Sequence, residues 1–198
     1  MLSLNLTKGE SLKLTLTKGG KFFVALSWKS DHDPDAHALA AHNDGTGAKV
    51  EKLEDILSAY NSQKAKKTNT LPMNPDGSFN IPGGGLHHSG DCRTGSEDAN
   101  ELITVDPSKL DLSVNEIPIF VTIHPPEKKY TFSVIKDCRI KITNEDGVDL
   151  GTYQLSDQFA KFNSVQMGSF VKNADQWEYF PVGVGFMGGF NDVLGKFS

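Results

Sequence analysis

Cysteine is scarce in this chain of 198 residues: Cys92 and Cys138 are the only two. That excludes a disulfide scaffold, and with no export signal in view both are expected as reduced thiols of a cytoplasmic protein. Long apolar runs are missing as well. None approaches the roughly 20 residues a membrane helix needs, so insertion into a bilayer is not expected. The opening MLSLNLTKGESLKL alternates from its first residues and has no basic stretch leading into an apolar one, so no secretory signal is read there. Several signatures of chemistry are absent too. Gly83-Gly84-Gly85 is not followed by Gly-Lys-Ser/Thr, which removes a phosphate loop. The paired-histidine signature of zinc enzymes, the nucleophile elbow of hydrolases and the EF-hand spacing do not occur.

What remains is ordinary in total and uneven in distribution. With 37% hydrophobic and 23% charged residues, 19 Gly and 9 Pro, the chain reads as one folded, loop-rich domain over 1–198. At this size it would hide roughly 70% of the surface exposed by the unfolded chain. The formal net charge is −5. Residues 31–44 and 91–106 nevertheless hold nine carboxylates against Arg93 alone, leaving the rest of the chain mildly basic. Phosphate binding wants clustered Lys and Arg, so these windows exclude nucleic acid and anionic membrane and favour cations.

Apolar residues alternate through Leu2, Leu4, Leu6, then Leu12, Leu14, Leu16, then Phe22, Val24, Leu26, Trp28. Period two over short stretches is the half-buried strand pattern. Further strands are expected at Ile117–His124, Val134–Thr143, Val148–Leu155, Ser164–Val171 and Trp177–Phe186, separated by turn residues such as Asn144-Glu145-Asp146-Gly147. The sum is an all-β fold, an antiparallel β-sandwich with long acidic loops and little helix. Leu53, Ile56, Leu57 and Tyr60 fit one helix face, although a strand across Ile56–Tyr60 fits too. A last helical turn is expected near Asp192–Phe197, and a polar, mobile loop insertion at about 62–86.

Asp31-His32-Asp33-Pro34-Asp35 sets three carboxylates at alternate positions, on one side of an extended chain. Held that close they repel unless protonated or neutralised, and a hard divalent cation is the usual remedy. Calcium takes six to eight oxygens, so a second segment is required; the window around Asp91, Asp98, Asn100 and Glu101 supplies one.

Asp31-x-Asp33-x-Asp35-Ala36, His88-Ser89-Gly90-Asp91-x-Arg93-Thr94-Gly95, Val121-Thr122-Ile123-His124, Asn144-Glu145-Asp146-Gly147, and Trp177 with Gly183-x-Gly185-Phe186-x-Gly188-Gly189 follow one another in order. Together with Ser3-Leu4-x-Leu6-x-Lys8-Gly9 this set resembles the TerD family of bacterial tellurium-resistance and stress-response proteins. The resemblance implies a cytoplasmic, non-enzymatic β-sandwich that binds one or two calcium ions and acts as a sensor or scaffold. Other stress-response or membrane-associated proteins are its implied partners. Carried over by position, Asp31, Asp33, Asp35, Asp91 and Glu101 are metal ligands; the oxygens of the second window add Asp98 and Asn100, the latter the weakest of the set. His37 stands where the family has Ser, and Cys92 where it has Asn.

Three alternatives have their own residues. His32, His37, His42, His87, His88 and Cys92 lie in or beside the acidic windows and offer zinc its preferred donors, although a spacing of five suits neither a helix face nor a strand face. Ser89 or Ser96 with His88 and Asp91 names the residue types of a hydrolytic triad, while Cys92 beside Arg93, with His88, names those of a metal- or thiol-dependent enzyme acting on a small oxyanion or phosphate ester. A scaffold whose 62–86 insertion contacts a partner protein is the third. His124, ending an apolar strand, is expected to be structural.

Overall fold

A computed structural model describes residues 20–62, 70–95, 100–125 and 130–198. The strands expected over residues 2–16 lie outside these, as do Ser96 and Asp98. Thirteen strands follow in chain order: β1 (Phe22–Ser27), β2 (Asp33–Leu39), β3 (His42–Asn43), β4 (Ala48–Lys49), β5 (Ile56–Leu57), β6 (Phe79–Asn80), β7 (Leu86–His88), β8 (Glu101–Val105), β9 (Glu116–His124), β10 (Arg139–Asn144), β11 (Asp149–Gln154), β12 (Ser164–Asn173) and β13 (Gln176–Phe186). One sheet runs β11-β10-β1-β8-β7-β6 and the other β13-β12-β9-β2-β5, with β3 and β4 forming a small ribbon. All the pairings between these strands are antiparallel.

Alternation decides which face of each strand is buried. Phe22, Val24 and Leu26 of β1 point inward and are fully buried, as are Ile140 and Ile142 of its partner β10. From the other sheet Ile117, Ile119, Val121, Val165 and Phe170 meet them in one core. Phe22 lies against Phe170 with ring centroids 4.5 Å apart, an aromatic contact that joins the two sheets and adds about 1 kcal/mol to area burial. In β2, Ala36 and Ala38 enter this core while Asp33, Asp35, His37 and Leu39 face outward. Two short α-helices accompany the strands, α1 (Leu155–Gln158) between β11 and β12 and α2 (Phe190–Leu194) after β13. The second covers part of that outer face, burying Phe190 and Val193 with Phe197, Leu39 and Phe120 in a separate apolar cluster.

Three expectations change. Residues 53–61 are neither helix nor continuous strand: a 3-10 turn at Leu53–Asp55 leads into β5, and another covers Ala59–Asn61. The Asn61 amide donates to the carbonyls of Leu53 and Ile56, and β5 pairs with the end of β2, so local side-chain bonds and a tertiary ladder both override the helical spacing. The strand expected over Val134–Thr143 begins only at Arg139. Asp137 adopts a left-handed φ of 51°, which interrupts an extended run. The described part of the 62–86 insertion is no free loop. Leu71, Phe79 and Ile81 are buried in the main core and β6 pairs with β7, because three apolar side chains in a polar stretch are enough to pin it down.

Candidate metal centre

Among the described residues, the acidic site forms where β2 has a strand neighbour on one side only. Its first residues pair with β9, placing Asp33 opposite His124 and Asp35 opposite Thr122. β5 reaches only Ala38 and Leu39. The loop after β7 fills the other flank. The Gly95 N–H donates to the Ser30 carbonyl at 3.1 Å, and the Asn100 side-chain amide donates to the Trp28 carbonyl at 3.1 Å. This docking brings Asp91 to Asp33 and Asp35, and one oxygen from each of the three carboxylates lies within 4.8 Å of the others. Unit charges at that separation cost roughly 3 kcal/mol per pair at an effective dielectric near 20.

Asp35 is the buried member, 3% exposed. Burial pushes its acid well above the usual carboxylate range, and Glu101, Asp33 and Asp91 push it further, while a hydrogen bond from Tyr60 partly offsets them. The Tyr60 hydroxyl donates to Asp35 Oδ2 at 3.1 Å and lies 2.9 Å from His124 Nδ1. A phenol has one proton, so if Asp35 receives it, His124 must donate through Nδ1. Desolvation, with Asp35 beside it, raises the Tyr60 pKa and keeps the phenol protonated. Arg93 supplies the local positive charge, its Nε 3.3 Å from Asp91 Oδ2, but its side chain is 68% exposed and screened by water. The three carboxylates, Tyr60, Arg93 and His124 line a cleft of about 180 Å³.

Of the other expected ligands, Asp31, Asn100 and Glu101 stand outside the trio. Asp31 is exposed outside the trio, and Asp98 lies outside the described residues. Asn100 holds the Trp28 carbonyl. Glu101 is fully buried on β8, with Oε2 accepting the Ala36 N–H at 2.8 Å and Oε1 accepting the Cys92 N–H at 3.3 Å. Tyr60 and His124 had no such reading in the sequence. The strand pairing that sets His124 opposite Asp33 is the signal that would have found it.

The histidines disperse in the same way. His37 is fully buried between Phe190 and Tyr60, bonds Thr122 through Nε2 at 2.9 Å, and is held neutral by burial and by His88. His42 meets the Ser113 carbonyl, His87 meets Asn80, and His32 packs edge-on to Tyr130. Among the described residues the acidic trio is the one group of three or more metal-binding side chains. Of the nucleophile candidates, Ser89 Oγ accepts the Leu102 N–H and the Cys92 thiol donates to the Thr94 carbonyl. His88 Nδ1 accepts from the Gly90 N–H. A larger cavity of about 610 Å³ opens beyond the far end of β2, but Lys49, Lys52, Lys109, Glu54, Asp55 and Asp111 mix both signs of charge around it.

An antiparallel sandwich with an all-oxygen trio at one end of a sheet defines a class: β-sandwich proteins with a carboxylate cluster that could hold a metal ion. Within that class the sequence matches the TerD domain over residues 2–197, and the chain belongs to the TerD domain family. It is 28% identical over 198 residues to the uncharacterized protein YceE of Bacillus subtilis (strain 168), covering 95% of this chain and 94% of that one. Chemical-damaging agent resistance protein B of Clostridium acetobutylicum is 28% identical over 118 residues, covering 58% of this chain and 85% of that protein. The crystal structure of a homologue of telluride resistance protein (TerD) from Streptomyces coelicolor A3(2) superposes with a TM-score of 0.69 at 17% identity, covering 89% of this chain and 95% of that one. No helix among the described residues is long and apolar enough to cross a membrane.

Proposed function

We propose that the protein is a calcium-binding, non-enzymatic member of its family that acts in the cytoplasm as a sensor or scaffold in resistance to tellurium compounds and other chemical stress. The observation that carries this reading is the convergence of Asp33, Asp35 and Asp91 from two distant segments, with Asp35 buried at a mutual separation that disfavours three negative charges. A hard cation relieves that repulsion, and an all-oxygen donor set suits calcium better than a metal that prefers nitrogen or sulfur. The three carboxylates would hold the ion, with backbone carbonyls and water completing its shell. The stress role is supported by the names of the relatives, a chemical-damaging agent resistance protein and a telluride resistance homologue.

Calorimetric titration with calcium, paired with thermal melting, tests the reading. At 100 times the dissociation constant the ion should stabilise the fold by about 2.7 kcal/mol, and Asp33→Ala should remove both the heat of binding and the gain. An unchanged melting curve at millimolar calcium sinks it.

A further inference from the structure

Glu101 reaches from one sheet to the flank of β2 that faces away from β9 in the other. The Ala36 N–H points away from β9 into that flank, where burial without a partner would cost about 1–3 kcal/mol. Glu101 Oε2 accepts it at 2.8 Å, and Oε1 accepts the Cys92 N–H at 3.3 Å. Ala36 directly follows Asp35, and Cys92 directly follows Asp91. One carboxylate thus grips the chain one residue beyond two of the three clustered acids. Behind it stands His88, also fully buried, with Nε2 3.5 Å from Glu101 Oε2. Its Nδ1 accepts from the N–H of Gly90, the residue before Asp91, so Nε2 carries an N–H that faces Glu101. Phe79 stacks on the ring at 4.7 Å and fixes its plane.

We propose that Glu101 is a positioning residue, a latch that sets the distance between Asp35 and Asp91, and that it does not ligate the ion. Its effect on affinity rests on the ion-binding reading above; its effect on the backbone does not. Groups of this kind, which orient ligands without touching the metal, typically change affinity by roughly 10–100-fold when altered.

Terbium luminescence lifetimes in light and heavy water count the waters left on the bound ion, and amide hydrogen exchange follows Ala36 and Cys92 in metal-free protein. In Glu101→Gln one oxygen becomes an amide that cannot accept, so terbium affinity should fall by roughly 10–100-fold with the water count unchanged. Exchange should accelerate at whichever of Ala36 and Cys92 loses its acceptor, while Val24 in β1 stays protected. Asp33→Asn, which alters a ligand, should add water to the ion. Glu101→Asp keeps the charge but is one methylene too short to span both amides, and should reproduce the faster exchange. Added water on terbium in Glu101→Gln overturns the latch. So does wild-type exchange at both amides in Glu101→Asp. If the wild-type protein takes up no terbium, the ion-binding reading fails alone and exchange still decides the latch.

Discussion

Asp35 carries most of the electrostatic tension in this molecule. Burial first, then Glu101, Asp33 and Asp91, make its acid harder to ionise in the folded protein than in the unfolded chain. A carboxyl with a raised folded pKa contributes stability that is fully present below its unfolded value and is lost as pH rises through the folded one. Metal-free protein should therefore lose stability as pH climbs from the ordinary carboxylate range toward neutrality. Asp35→Asn should flatten that loss and melt higher than wild type at neutral pH in a chelator. With calcium present the order should reverse, because the variant has surrendered a ligand. Melting curves across pH, with chelator and with calcium, check both signs. At this scale the sequence was informative about which residue types gather and less so about what each one does. Alternating carboxylates pointed to Asp33 and Asp35, but nothing in the spacing of Glu101 indicates that it faces the backbone of another sheet. Tyr60 was equally hidden, because its role depends on three segments that meet only after folding.

At the scale of elements, the loop between β7 and β8 bears the heaviest geometric demand. Gly90 adopts φ +113°, and a Cβ there would lie 2.9 Å from the Gly77 carbonyl oxygen. Gly90→Ala should cost about 1–3 kcal/mol in backbone strain, lowering the melting temperature by roughly 2–4 °C per kcal/mol. It should also weaken calcium binding by displacing Asp91; differential scanning calorimetry with and without calcium separates the two effects. The strands themselves were legible where burial is one-sided. β9, β11, β12 and β13 fall within two residues of the alternation that announces them. Short elements resisted. β5, β6 and β7 have two or three residues each, too few for any period to register, and they exist because neighbouring strands offer hydrogen bonds. β2 was obscured in another way, since its outward face carries charge and a histidine where a strand more often shows neutral polar residues.

Across the whole molecule the two sheets serve the site unequally. One supplies Asp33 and Asp35 on its outer face, and the other sends the Asp91 loop and Glu101 to its flank. The outer face also carries the apolar cluster under α2, where Phe190 lies 4.2 Å from His37 and 5.6 Å from Tyr60 between ring centroids. Phe190→Ala should cost about 3 kcal/mol as a buried aromatic deletion. Because Tyr60 bonds Asp35, it should also lower calcium affinity more than an equally destabilising change in the main core, such as Phe22→Ala, and titration of the two variants side by side checks this.

The trio spans 58 positions of sequence, from Asp33 to Asp91, and its members come from opposite layers of the sandwich. No segment of the unfolded chain presents the three oxygens together, so an ion finds its seat only after the layers have docked. Contacts absent from the folding transition state change the rate of leaving the native state and not the rate of reaching it. Stopped-flow unfolding in denaturant should slow in proportion to the calcium-dependent gain in stability, while refolding proceeds at one speed with or without the ion. On the proposed reading calcium would act as a bolt on the finished sandwich, closing the way out and leaving the way in untouched.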